Sequence, residues 1–183
     1  MKRLAALAAI ALSLSPYTAS GQVQQPYAGF EARPIKALSD QQVADLKAGR
    51  GMGLALAAEL NGYPGPIHVL ELAESLALSE AQRAKVQGLF AAMKAETIPL
   101  GEMLIAQEVD LDRQFAGRAI TEASLAAAMQ AIGTTQAALR TAHLKYHLAT
   151  VEVLAPTQIQ RYAELRGYSS GTQAQQQHRG HQH

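Results

Sequence analysis

Two long helix-forming stretches, Ser79 to about Gly117 and Thr121 to Val153, are joined through the short link Gly117-Arg118-Ala119-Ile120. So short a link forces the second helix back along the first, which predicts an antiparallel helical hairpin. In the first stretch Val86, Phe90, Met93, Leu100, Leu104, Leu111 and Phe115 recur near the 3.5-residue repeat that keeps one seam against a neighbour. Leu125, Met129, Ile132, Leu139, His143 and Tyr146 form the facing stripe in the second. Pro99 and Gly101 lie inside the first helix and predict a kink near Ala95 to Pro99.

Helix-start signals divide the rest of the body. Leu38, Ser39, Gln42 and Val43 supply a capping box and a hydrophobic staple. Ser79 with Gln82 repeats the box after Leu78, and Thr121 caps the second long helix. Leu154, Pro156 at the first helical position, Gln158 and Ile159 start a last short helix, but Ala155 stands where a hydroxyl would cap. The first helix, from about Ser39 to Asn61, should bend or break at Gly49-Arg50-Gly51-Met52-Gly53, since each interior glycine costs ~1 kcal/mol relative to alanine. Asn61 to Pro66 reads as a turn before a short helix beginning at Ile67. No alternating β-branched run occurs, so the fold class expected is all-α: a long hairpin with short flanking helices.

The ends read differently. Residues 1–21 combine Lys2 and Arg3, an apolar run from Leu4 to Leu14 and small residues at Ala19, Ser20 and Gly21, the pattern of a cleaved secretory signal. That run is shorter than the ~20 residues a membrane span needs, so no stable insertion is expected. Residues 22–37 read as a flexible arm, 38–168 as the helical domain, and 169–183 as a disordered Gln- and His-rich tail. A bacterial periplasmic location follows as the expectation. The absence of cysteine leaves stability to packing alone. Formal net charge is +1 with both signs scattered, which excludes the basic stripe of a nucleic-acid binder.

The elements Leu78-Ser79-Glu80-Ala81-Gln82 and Leu154-Ala155-Pro156-Thr157-Gln158 resemble the LTXXQ signature of periplasmic Spy/CpxP-type proteins. The likeness extends over roughly Leu38 to Tyr168, in the order signal, first motif, hairpin, second motif, with Ala155 departing from the usual hydroxyl residue. It implies a cradle-shaped homodimer in the bacterial envelope that acts as an ATP-independent chaperone for unfolded proteins or as a partner of an envelope-stress sensor. A neighbouring branch binds or senses transition metals, which supplies the alternative of a heavy-metal binding, sensing or resistance protein.

Two binding chemistries are open. On a helix His143 and His147 share a face and reach one ion, and if the hairpin turns near Ala119, facing residue numbers total roughly 238, which sets Met93 and Glu96 opposite them. This His, His, Glu and Met set suits Zn, Ni, Co or Cu, although no cofactor is required by the fold. The competing reading makes His143 a polar seam residue and turns His147 toward solvent or a carboxylate. His178, His181 and His183 in the tail form a second cluster able to capture such ions weakly, or belong to an inert soluble end. For client contact, Met103, Ile105, Val109, Leu144 and Leu148 lie beside the main stripes, near Lys94, Arg113 and Arg140; the same flanks also suit a dimer interface. The chain carries no nucleophile elbow, phosphate-cradling loop or His-Glu-x-x-His element, so catalysis is not expected.

Overall fold

The computed structural model describes residues 26–168, and every regular element among them is helical. A short 3-10 turn at Phe30–Ala32 precedes α1 (Asp40–Lys47), α2 (Leu56–Glu59), α3 (Pro66–Glu71), α4 (Glu80–Ala116), α5 (Glu122–Val151) and α6 (Pro156–Leu165). The signal, the first residues of the arm and the tail lie outside the described residues. Of the arm, the described part includes a buried Ile35 and Lys36, whose ammonium lies 3.6 Å from Asp112 on α4.

α4 and α5 pack against each other as the long hairpin. Their buried positions keep three- and four-residue steps, Val86, Met93, Thr97, Gly101, Leu104 and Glu108 on α4 and Ile132, Thr135, Leu139, Ala142, His143, His147 and Thr150 on α5. Thr135 donates to the Met103 sulfur at 3.6 Å, and Lys145 meets Glu96 at 2.6 Å, so the register lies within a turn of the expected one. α4 runs without interruption through Pro99. That proline withdraws one donor from the Ala95 carbonyl, but packing on both sides keeps the element whole.

Short helices cover only part of the hairpin. α1 lies along α4, where Leu46, Leu104, Ile132 and Leu139 form one apolar cluster with Leu38, Leu54, Leu100, Ile105 and Leu111 around it. The approach is close enough that a Cβ on Gly101 would fall 2.5 Å from the Leu46 carbonyl oxygen. The expected break after α1 occurs at Gly49 to Gly53, so α2 is a separate turn of helix. At the open end of the hairpin Val69, Ala73, Leu76, Leu78, Val86, Leu154 and Tyr162 form the second cluster. The far end has no such cover. Phe115, Leu125 and Met129 continue the seam period yet stand exposed, because nothing but the opposite helix is there to enclose them.

The caps hold as local sequence dictates. Ser39 Oγ accepts from Gln42 N at 3.2 Å, and Gln42 Oε1 accepts from Ser39 N at 2.9 Å. Ser79 and Gln82 repeat this at 3.2 and 3.1 Å, and Thr121 pairs in the same way with Ser124. α6 lacks a hydroxyl cap, but Gln158 Oε1 still accepts from Ala155 N at 2.9 Å.

The two glutamines also bind each other. Gln82 Nε2 donates to Gln158 Oε1 at 2.8 Å and to the Val153 carbonyl at 2.9 Å, while Gln158 Nε2 donates to Gln82 Oε1 at 3.2 Å and to the Leu76 carbonyl at 3.1 Å. Each amide uses both its donors and both its acceptor positions. Gln82→Ala and Gln158→Ala should each lower the unfolding free energy by about 1–3 kcal/mol, because each leaves buried partners unpaired. Urea titrations of both single variants and the double variant should show losses that overlap by at least ~0.5 kcal/mol; strictly additive losses would mean that the amides act separately.

Candidate functional site

Between the two apolar clusters the packing opens into a cavity of about 580 Å³. Its walls are the glycine-rich turn 48–53, Ala55, Leu56 and Glu59 around α2, Gly65 to His68 at the start of α3, Phe90, Met93 and Lys94 on α4, and His143 and His147 on α5. The turn reaches over the hairpin because Gly49 and Gly53 take positive φ values of 64° and 83°. Near Gly51 the chain runs so close to α5 that a Cβ there would stand 3.5 Å from His143 Nδ1.

His143 and His147 are both buried, at 2% and 7% exposure. His147 Nδ1 lies 2.6 Å from the Tyr63 carbonyl oxygen and 3.7 Å from Glu59 Oε2. A carbonyl only accepts, so Nδ1 carries the proton, and in the neutral ring the lone pair therefore sits on Nε2. The ring fits because residue 65 is glycine: a Cβ there would come within 2.9 Å of His147 Cε1 and 3.0 Å of Nε2. His143 Nε2 is buried without a hydrogen-bond partner.

Glu59 anchors this arrangement from below. Its carboxylate is buried and accepts from Tyr162 through Oε1, from Tyr168 Oη at 3.2 Å and from the Gly65 amide at 3.1 Å, with Arg166 Nε at 3.8 Å. Burial, then the bond to Glu59, pushes the Tyr162 phenol far above its ordinary range. One carboxylate therefore ties α2, the start of α3, α5, α6 and the residue that follows α6.

Of the four metal-ligand residues expected on the hairpin, Met93, His143 and His147 line this cavity and Glu96 does not. The Glu96 carboxylate is instead held by Lys145, whose hydrogen bond is the main reason it stays below the usual carboxylate range. Among the described residues no three His, Asp or Glu side chains converge as a metal-holding group. His178, His181 and His183 lie outside the described residues. His68 is half-exposed, bonds Glu71 at 2.9 Å and sits at the cavity wall.

The expected contact residues separate. Met103, Val109 and Leu148 are exposed, at 50%, 44% and 56%. Ile105 packs against the α1-covered cluster and Leu144 is half-buried. Leu78 and Leu154 of the repeated element are core residues at the open end, while Ser79, Gln82 and Gln158 form the caps and the amide pair. Sequence reasoning missed Glu59 and its partners Tyr162 and Tyr168, which lie more than a hundred residues further along the chain and follow no local pattern. It also missed Met52, Leu56, Leu60 and Tyr63, an exposed apolar group around α2.

No family model, curated protein or solved structure matches the chain.

Burial, and then the charge that His147 would carry, holds the His143 imidazole below its usual range. His147, His68, Arg50 and Lys94 share its cavity with the carboxylates Glu59 and Glu71. A folded-state pKa below the unfolded one makes the unfolded chain bind the proton first, so stability present above ~6.5 is lost as pH falls through the imidazole range. His143→Gln should therefore lose less stability than the parent between pH 7 and pH 5 in urea titrations. Equal losses would place the imidazole in solvent.

Proposed function

We propose that this protein acts without chemistry, as an exported, ATP-independent binding protein that holds partly unfolded polypeptides. A periplasmic location and a homodimeric state belong to the same proposal, as does docking to an envelope-stress sensor through the same surface. The observation that carries it is the side of the hairpin that α1 leaves uncovered, where Met103, Val109, Phe115 and Met129 expose apolar side chains on two long helices. Methionines adapt to varied partners, since the thioether chain is unbranched and polarisable. Arg140 stands exposed on α5 and favours early encounter with acidic segments.

The resemblance of the two L-x-x-x-Q elements to the Spy/CpxP-type signature supports this reading, and so does their meeting in space through Gln82 and Gln158. No helix among the described residues is long and apolar enough to cross a membrane, which is compatible with a protein that works beside a bilayer and not within it.

At equimolar to few-fold excess, the protein should suppress light scattering by a chemically denatured client diluted into buffer without nucleotide. Met103→Ser, Val109→Ser and Leu148→Ser combined should weaken that protection several-fold while leaving helix content unchanged, because all three side chains already stand in solvent. Absence of protection at a several-fold excess, or full protection by the triple variant, overturns the assignment to this surface.

A further inference from the structure

We infer that the cavity between the two apolar clusters is a site for a monovalent soft metal ion, Cu(I), held by Met93, His143 and His147. This goes beyond the holding of clients, which engages exposed side chains outside the cavity, and it narrows the ligands and metals that the sequence left open.

Three observations converge on it. His143 lines the cavity, and its Nε2 is buried with no hydrogen-bond partner, an arrangement that is costly unless a ligand meets that nitrogen. His147 is presented as a ligand imidazole would be: a backbone carbonyl at 2.6 Å takes the Nδ1 proton, a carboxylate stands 3.7 Å from the same nitrogen, and the Nε2 lone pair is left available. Met93, 5% exposed, lies level with His147 in the hairpin register set by the Thr135–Met103 and Lys145–Glu96 contacts, and it lines the same cavity. Met52, Leu56 and Phe90 add apolar lining to the same cavity.

Donor type and charge choose the ion. Two neutral imidazoles and a thioether are a soft set that favours Cu(I), whereas Zn(II), Ni(II) and Co(II) gain from carboxylate or further imidazole ligands. Glu96 is held by Lys145, Glu59 by Tyr162, Tyr168 and the Gly65 amide, and Glu71 by His68, so each nearby carboxylate is already engaged elsewhere. The cavity lining sets Arg50 and Lys94 against Glu59 and Glu71, so no net negative charge is there to offset the second charge of a divalent ion.

The full chain carrying His178→Ala, His181→Ala and His183→Ala removes competition from the tail. Titrated with Cu(I) under ascorbate against bicinchoninate, it should withdraw one equivalent of copper per chain. Met93→Leu, close in size and apolar, should weaken that binding at least tenfold with helix content unchanged. Copper K-edge absorption of the tail-silenced chain should show one sulfur and two nitrogen neighbours, a reading that does not depend on any cavity variant folding. No copper withdrawn, unchanged affinity in Met93→Leu, a shell of nitrogen alone, or tighter one-to-one binding of Zn(II) or Ni(II) each overturns the assignment.

Discussion

A hairpin of two long helices is zipped by one line of side chains, and its open end, where the chain enters one helix and leaves the other, has no covalent link to hold it. Here Gln82 and Gln158 join that end. Each glutamine first completes the start of its own helix by accepting from the capping residue's amide, and then bonds the other glutamine and one backbone carbonyl. Leu78 and Leu154, four residues before each glutamine, sink into the apolar cluster beneath the pair. Cap, cross-link and core contact thus occupy one five-residue element used twice. A net contribution of ~1 kcal/mol per hydrogen bond is modest singly, but six bonds sharing two side chains are gained or lost together.

Closure at one end leaves the other free to be thin. Stability is concentrated where α1, α3 and α6 add a third layer, while the far end has two helices and a turn. The apolar residues there add little to folding, because each has only one helix to bury against. That thinness underlies the proposed capture of unfolded chains: a surface already apolar before binding asks for no rearrangement, and shallow contacts release as readily as they form. The same surfaces would serve self-association, and client and second copy would then compete for them.

What was legible in the sequence was what depends on neighbours in the chain. Ser39, Ser79 and Thr121 cap because the residue three positions on answers them. The hairpin follows from the length of its link, and its register from the same count. The turn itself was less readable: the left-handed position falls on Arg118, at φ 52°, one residue after the glycine that would take it without strain. Periodicity could not separate Ile132 and Leu139, which are buried, from Leu125 and Met129, which are not, since all four keep the same spacing and only the placement of α1 divides them. Glu96 read as facing the histidines because the register is right, yet a lysine two residues before His147 claims it first. Glu59 was out of reach altogether, as its partners come from four separate parts of the fold.

The placement of Glu59 bears on why the middle of the molecule is not simply filled. Burying a carboxylate costs several kcal/mol unless hydrogen bonds return it, and an apolar side chain of similar volume would often serve stability as well. What Glu59 provides that an apolar residue could not is orientation: it receives Tyr162, Tyr168 and the Gly65 amide on its two oxygens, and it stands behind His147. Gly65 in turn is where a methyl group would strike the His147 ring. Carboxylate, glycine and the Tyr63 carbonyl therefore fix one imidazole to within a single tautomer and a single orientation. Such restraint is surplus to the needs of a residue that only fills a seam, and it accords with a side chain whose free nitrogen has a ligand to meet.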